Sequence, residues 1–476
     1  MTNLTYTTEQ LAVIEAAPTT SLLVRARAGA AKTTTLIMLA SALPQFPPLG
    51  HEPPLYLAFN RAIADDIKGR MPAKVTTSTF HAHGLSLLKL STPKIKISSR
   101  KYGDMLSARG IVGDEYDASM HCIEAIRNNN LALDTIAVAH IIDEADTIYA
   151  CRPDAAILFE VLHAGLADKS TIDFTDMLWQ VVRSPRTFRP HSHLLIDEAQ
   201  DTNPLQLAYL ERVRSKSTLL YFVGDDRQSI YAFRGASHTA MDDILRTFAP
   251  LKELCLTTSF RCATSIIDLA RTIVPDIQAR PNAPVGIVDT LPYATSLFRG
   301  NAALVVCRNN APLAKLASDL IKAAIPFSMK SEWFKQQTRF INARASASAS
   351  IPAFLNKLTM WEDEQLTAFP SRAESVTDRA DALRALATSL PPDATVSSLL
   401  LLLEKIANAK GANVLSTIHK AKGLESDTVY FLRPDLLPSR YATTPSDLRQ
   451  EDNLWYVAVT RAKNTLIFLD NKAAAV

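Results

Sequence analysis

The sequence predicts an α/β protein of two parallel-sheet lobes, each carrying a helical insertion. Three observations predict it. Short apolar strands alternate with amphipathic helices in two separate stretches of the chain, which is the grammar of βαβ units and hence of parallel sheets. Each stretch is broken by a segment in which helical patterns dominate. At 476 residues with 47% hydrophobic content, the chain is too long for one ordinary core and apolar enough for two.

In the first stretch Ser21–Arg25, Leu55–Phe59 and Val75–Thr79 read as strands, each followed by a helical pattern. The alternation lapses from about Ser91 to Ser170 and resumes with Leu194–Ile196 and Leu219–Val223. The second stretch starts near Ala302 with the strand Leu304–Cys307 and breaks at the low-complexity run Ala343–Ser350. Its last strands are Val414–Ile418, Val429–Leu432 and Leu466–Leu469. The expected domains are residues 1–90 with 171–275 as the first lobe and 91–170 as its helical insertion. Residues 276–342 with 410–476 make the second lobe, and 343–409 a shorter helical insertion.

Composition excludes more than it assigns. The five cysteines, Cys122, Cys151, Cys255, Cys262 and Cys307, form no CxxC pair and no set with zinc spacing, so they read as reduced thiols of a cytoplasmic protein. The polar start MTNLTYTTEQ and the lack of a long apolar run argue against a leader peptide, a membrane span or a membrane partner. A net charge of +3 allows nucleic-acid binding without demanding it. Glycine supplies only 14 residues, against roughly 33 at an average usage of about 7%, so the glycines that remain are expected where a side chain is hard to place. Gly29, Gly224, Gly235 and Gly423 all fall in the motifs below.

The segment SLLVRARAGAAKTTTLIMLA places a strand, a small-residue loop, Lys-Thr-Thr and a helix in succession. In that context the backbone N–H groups of Ala28, Gly29, Ala30, Ala31, Lys32, Thr33 and Thr34 hold the phosphates of ATP. Lys32 reaches the β- and γ-phosphates and Thr33 ligates Mg²⁺. The strict pattern G-x-x-x-x-G-K-S/T is not met, because Ala26 and Ala31 occupy its glycine positions. An ordinary strand-turn-helix would read much the same. The sequence LLIDEAQD, Leu194–Asp201, favours the nucleotide site: two acids end an apolar strand, where Asp197 is placed to hold Mg²⁺ and Glu198 to polarise the attacking water. Adjacent buried acids without a metal or base partner would be costly.

The next strand ends in GDDRQSIYAFRGA, Gly224–Ala236. With DEAQD before it, this resembles motifs II and III of the UvrD/Rep-like family of superfamily-one DNA helicases, and the other signatures then fall in order along nearly the whole chain. The resemblance implies RecA-like lobes with ATP held between them. It implies that Gln10, in YTTEQLAVIEA, reads adenine, whose edge a glutamine amide matches by donating and accepting at once. LAFNRAIADDI resembles motif Ia and TTSTFHAHG motif Ib, which offers Phe59, Asn60, Thr79, Phe80 and His81 to single-stranded DNA. Either phenylalanine equally fits a strand end packed in the core.

LTTSFRC resembles motif IV, with Phe260 standing where family members stack a tyrosine on adenine and Arg261 where an arginine meets the γ-phosphate. VLSTIHKAKGLESD resembles motif V, giving Glu425 to the ribose and His419 to DNA or the interlobe network. EDNLWYVAVTRAKNTL resembles motif VI, with Arg461 as an arginine finger. Gln228, Arg261 and Arg461 would sense the γ-phosphate, while Phe233 would stack on a base and Arg234 contact phosphate.

The resemblance therefore implies an ATP- and Mg²⁺-dependent DNA helicase or translocase moving 3′ to 5′ on single-stranded DNA or DNA with a single-stranded tail, nucleoid-associated in a bacterial or host cytoplasm. Both insertions are short for the family, as in its compact F-box-type and phage-borne members, which favours translocation over robust unwinding. Two alternatives stay open. Ala31 motivates a nucleotide-gated DNA-binding protein with weak or lost hydrolysis, and a P-loop kinase would leave motifs V and VI unexplained.

Overall fold

The computed structural model describes residues 6–149, 151–230, 240–330, 332–369 and 372–470. The chain divides into two compact units, Met1–Thr257 and Thr258–Val476.

The strands of the first unit are β1 (Leu22–Ala26), β2 (Leu55–Ala58), β3 (Thr76–Thr79), β4 (Lys96–Ile97), β5 (Thr171–Ile172), β6 (His193–Ile196), β7 (Leu219–Gly224) and β8 (Lys252–Leu256). Six of them form one sheet in the order β3-β2-β6-β7-β1-β8, with every pairing parallel. The central strands β2 and β6 are buried at every residue, which is why they appear in the sequence as continuous apolar runs. The edge strand β8 exposes Lys252 and Glu253. That mixed pattern hid it from the sequence reading.

Side chains alternate between the sheet faces. Leu23, Leu55, Leu57, Leu194, Ile196 and Phe222 lie in one core; Leu22, Val24, Tyr56, Leu195, Tyr221 and Val223 lie in another, with Leu36, Leu39 and Ala40 of the helix Lys32–Ala42.

The segment 91–170 carries β4 and the helices Lys101–Ser107, Gly113–Asn128, Thr135–Tyr149 and Ala155–Ala167. Its apolar residues, Tyr102, Ile123, Val138 and Leu162 among them, share one continuous core with Leu57, Leu194 and Phe222 of the sheet. β4 pairs with β5 where the insertion leaves and rejoins the lobe. A buried charged set fixes the same place: Lys101 Nζ lies 2.6 Å from Asp176 Oδ2, Tyr102 Oη donates to Asp176 Oδ1 at 2.7 Å, and Arg127 pairs with Asp173 at 2.8 Å. Each buried charge has an opposite partner, the condition under which such a network holds a fold in register.

The second unit contains β9 (Thr258–Ser259), β10 (Gln278–Ala279), β11 (Ile287–Pro292), β12 (Leu304–Cys307), β13 (Phe327–Met329), β14 (Asn413–Thr417), β15 (Ser426–Leu432) and β16 (Ala462–Asp470). Its six-stranded sheet runs β11-β16-β15-β12-β14-β13, again with every pairing parallel. The helices Ile351–Ala368, Ala373–Ala387 and Val396–Ala407 fall in the expected insertion and share one core with Val305, Leu415 and Leu432 of the sheet.

The boundary between units differs from the expected one. Residues 258–275, assigned above to the first lobe, belong to the second unit. After β8 the chain has used its last place in the first sheet; β9 pairs with β10, and Ala263 N donates to Lys463 O at 2.8 Å. No helix among the described residues is long and apolar enough to cross a membrane.

Candidate nucleotide site and nucleic-acid interface

β1 feeds the loop Arg27–Ala31, and the helix Lys32–Ala42 starts at its end. The loop turns through two left-handed residues, Gly29 at φ 73° and Ala31 at φ 57°. The second is strained, since a left-handed alanine costs about 1–2 kcal/mol. Ala28 and Ala30 are buried, at 0% and 2% exposure, while Arg27, Gly29 and Ala31 between and beside them are half-buried. Thr34 is half-buried in the first turn of the helix.

Lys32 and Thr33 meet the acids that follow β6, two strands across the sheet. Lys32 Nζ lies 3.1 Å from Glu198 Oε2. Thr33 Oγ1 donates to Asp197 Oδ2 at 2.8 Å, and Tyr56 Oη donates to the same oxygen at 2.8 Å. Burial would lower the Lys32 pKa, but Glu198, Asp225 and Asp197 together raise it. Burial first, and Glu198 second, push the Asp197 carboxyl up. Glu198 itself sits at φ 50°, ψ 44°, a third left-handed residue at the site after Gly29 and Ala31.

The oxygens fit a magnesium ion. Cis ligands of an octahedral ion with bonds of about 2.0–2.1 Å stand about 2.9 Å apart, close to the observed 2.8 Å between Thr33 Oγ1 and Asp197 Oδ2. Among the described residues no group of three or more His, Cys, Asp or Glu could hold a metal. One carboxylate and one hydroxyl suit an ion that takes its other ligands from phosphate and water.

Gln228 is buried and its amide donates to Asp225 Oδ2 at 2.7 Å. Gln10 is buried in the first turn of the helix Thr8–Ala16. Its Nε2 donates to Thr35 Oγ1 at 3.3 Å, and its Oε1 accepts from Thr7 N at 3.1 Å. That donor-acceptor edge is the one expected to face adenine.

In the second unit the structure brings Arg261, Glu425 and Arg461 together. Arg261 Nε lies 2.7 Å from Glu425 Oε2, and Lys463 Nζ lies 2.8 Å from Glu425 Oε1. Arg261 Nη1 also donates to Thr460 O, next to Arg461, at 3.2 Å. Arg461 is 2% exposed and donates from Nε to Val457 O at 2.9 Å and from Nη1 to Leu424 O at 3.3 Å. Burial opposes ionisation of Glu425, but its two cations hold the carboxyl below its ordinary value. Phe260 is 42% exposed.

Of the residues expected to meet DNA, Phe59 is exposed at the end of β2. Asn60 Oδ1 accepts from Ile63 N and Thr79 Oγ1 from Ala82 N, so each caps a helix. Phe80 requires a correction. It is 3% exposed and lies in the core, its ring edge-on to Tyr209 at 6.2 Å, so it offers no face to a base. The exposed aromatic nearby is Phe174, 60% exposed, whose ring lies 6.2 Å from that of the half-buried His81. His419 is half-buried in the short helix Ile418–Ala421 that follows β14. Phe233 and Arg234 lie outside the described residues.

Sequence reasoning missed Tyr56, Gln200, Asp225 and Phe174. Gln200 and Asp225 stand inside the motifs quoted above, where their neighbours drew the assignments. Tyr56 and Phe174 carry no local signal.

A cavity of about 570 Å³ opens in the second unit, lined by Asn309, Pro312 and Leu316 beyond β12 and by Leu432, Pro438 and Tyr441 beyond β15. β12 and β15 are neighbours whose connections leave in opposite directions, to β13 on one side and β16 on the other. That is the topological switch point, where open parallel sheets take ligands.

A strand-loop-helix that delivers a lysine and a threonine to two acids on a second parallel strand defines a P-loop nucleotide-binding protein. The chain belongs to the UvrD/Rep helicase family: residues 6–249 match the UvrD/REP helicase N-terminal domain and residues 373–473 the UvrD-like helicase C-terminal domain. It is 26% identical to F-box DNA helicase protein 1 of Schizosaccharomyces pombe, over 98% of this chain and 57% of that protein. It is 24% identical to DNA helicase IV of Escherichia coli, over 56% of this chain and 46% of that one. The chain thus spans about half the length of these relatives. Among solved structures, Arterivirus nonstructural protein 10 (helicase) overlaps 97% of this chain and 61% of its own with 13% identity and a TM-score of 0.35, a likeness too slight to bear on fold or function.

Proposed function

We propose that this chain is an ATP-dependent DNA helicase or single-stranded DNA translocase that steps 3′ to 5′. The observation that carries the reading is the cluster of Lys32, Thr33, Asp197 and Glu198, joined by a 3.1 Å ion pair and a 2.8 Å hydrogen bond, in a chain of this family. Backbone N–H groups of the loop and the Lys32 ammonium bind the β- and γ-phosphates of ATP. Thr33 and Asp197 hold Mg²⁺, which supplies positive charge to the phosphate oxygens when bound. Glu198 accepts a proton from the attacking water as its oxygen bonds to the γ-phosphorus and the bridging oxygen leaves with ADP. Gln10 and Phe260 serve adenine, Glu425 the ribose, and Gln228, Arg261 and Arg461 the γ-phosphate. For the last role Arg461 must give up carbonyl bonds it now makes.

The DNA strand is assigned to Phe59, Asn60, Thr79, His81 and Phe174 of the first unit, with Phe233, Arg234 and His419. Stacking on exposed aromatic rings is indifferent to sequence, as a translocase requires. A second reading, a nucleotide-gated DNA-binding protein with weak hydrolysis, draws on the left-handed Ala31. Phosphate release measured with and without single-stranded DNA tests both. Strong stimulation supports the motor; DNA binding gated by ATP without turnover supports the second reading.

A further inference from the structure

Gln200 is fully buried between two turns that each carry a residue of the proposed hydrolysis site. Its Nε2 donates to Glu198 Oε2 at 2.6 Å, and its Oε1 accepts from Asp225 N at 2.9 Å. The amide orientation is fixed chemically, because the nitrogen faces a carboxylate and the oxygen faces an N–H. Asp225, also fully buried, accepts from Gln228 Nε2 at 2.7 Å through Oδ2. Its Oδ1 accepts from Arg227 N at 3.1 Å and lies 3.7 Å from Arg27 Nη1.

These contacts close a ring. It starts on the phosphate loop at Lys32, passes through Glu198, Gln200 and Asp225, and returns to the same loop at Arg27. The backbone is shaped for it. A Cβ on Gly224 would stand 2.5 Å from Gln200 Oε1 and 3.0 Å from Gln200 N, so glycine at 224 is what lets Gln200 reach Asp225 N.

We infer that Gln200 is the positioning residue that keeps Glu198 aimed, and ties it to Gln228, when Lys32 turns from Glu198 to phosphate. This rests on the ATPase reading proposed above. Lys32 and Gln200 both engage Glu198 Oε2. Phosphate oxygens compete for the Lys32 ammonium, whereas the Gln200 amide is neutral, buried and anchored on Asp225 N, and has no reason to leave. A carboxylate at 200 could not donate to Glu198, and an apolar side chain of the same length would fill the space without holding the acid.

The test uses the full chain and the variants Gln200→Met and Gly224→Ala, with three readouts: DNA-stimulated turnover, affinity for a fluorescent ATP analogue, and Tm. The first variant removes both bonds at nearly constant volume; the second leaves every reacting group in place and crowds Gln200 out of position. Both are expected to lower kcat roughly ten- to hundredfold, the scale of a displacement of about 1 Å in a reacting group, while analogue affinity stays within about threefold, a free-energy change under about 1 kcal/mol. Unchanged turnover in Gln200→Met overturns the inference, and so does an equal loss of turnover and analogue affinity with a lower Tm, which marks a packing role. An inactive wild-type protein would bring down the proposed function itself; an active wild type with undiminished Gln200→Met brings down this inference alone.

Discussion

Lys32 Nζ stands 3.1 Å from Glu198 Oε2, with Asp197 and Asp225 also acting on its charge. One ammonium therefore offsets three acids, and its two ends of this pair should fail differently. Lys32→Ala leaves Asp197 and Glu198 without this cation, Asp225 keeping Arg27, and is expected to lower stability by about 1–3 kcal/mol, while Glu198→Gln removes one negative charge and should leave Tm level or higher. Both should reduce ATP turnover by orders of magnitude with single-stranded DNA affinity retained. Thermal melts, phosphate release and fluorescence anisotropy check the three parts, and a matching loss of DNA affinity in both variants would contradict the assignment.

Ala31 provides a test of strain against function. Its φ of 57° implies a cost of about 1–2 kcal/mol that Ala31→Gly removes, offset in part by about 0.4–1 kcal/mol of extra unfolded-state freedom. Tm should change little. If 2 kcal/mol is the ceiling, kcat/KM shifts by less than about thirtyfold. A wild type with no detectable ATPase that Ala31→Gly rescues would favour the nucleotide-gated binder.

The two phenylalanines beside the expected DNA path should separate cleanly. Phe80→Ala opens a cavity in the core and is expected to cost about 3–5 kcal/mol of stability. Phe174→Ala removes an exposed ring, so Tm should hold while DNA binding weakens by about 1–3 kcal/mol. Melting curves with anisotropy titrations decide it; a large Tm loss in Phe174→Ala would make that residue structural.

Acid should destabilise the first unit through buried histidines. Burial and the neighbouring His191 lower the His83 pKa to about 3, burial, His51 and Lys74 lower His193 to about 4, and burial lowers His191. His83 is hydrogen-bonded to Tyr209 Oη at 2.6 Å and to His191 Nε2 at 3.2 Å. Since these rings are neutral when folded and titrate near 6.5 when unfolded, the unfolded chain binds more protons below that pH. Stability present above about pH 6.5 is then lost as pH falls toward the folded values. A fully shifted ring contributes about 2 kcal/mol of loss between pH 7 and 5. Denaturant melts at both pH values should show it, and His83→Gln should flatten the slope; a pH-independent midpoint would refute it.

Residues whose environment is set locally were legible. Leu194–Ile196 read as a strand and lies in one buried at every residue, and Ala31, standing where the loop pattern calls for glycine, has a φ of 57°. Gly29 and Gly423 have positive φ and Gly224 admits no Cβ, in keeping with the glycine scarcity. Residues whose role depends on which way a strand end faces were not. Phe59 and Phe80 both follow strands, yet one emerges into solvent and the other begins a helix whose inner face is core. β8 was hidden because an edge strand needs only one apolar face. Gln200 was invisible as a function because its bonds join residue 198 to residue 225, a juxtaposition that exists only once β6 and β7 lie side by side.

The continuous core beneath the helices of residues 91–170 also constrains how this lobe can change length. Excising that segment would leave Asp176, buried in the lobe, without Lys101, Tyr102 and Arg127, and a buried charge that loses its partners costs about 3–5 kcal/mol. It is therefore not a detachable cassette. Additions are best placed at its solvent-facing turns, such as the exposed Ser107–Gly110, so a tag or fluorophore inserted there should spare the lobe while a transplanted helix pair would not.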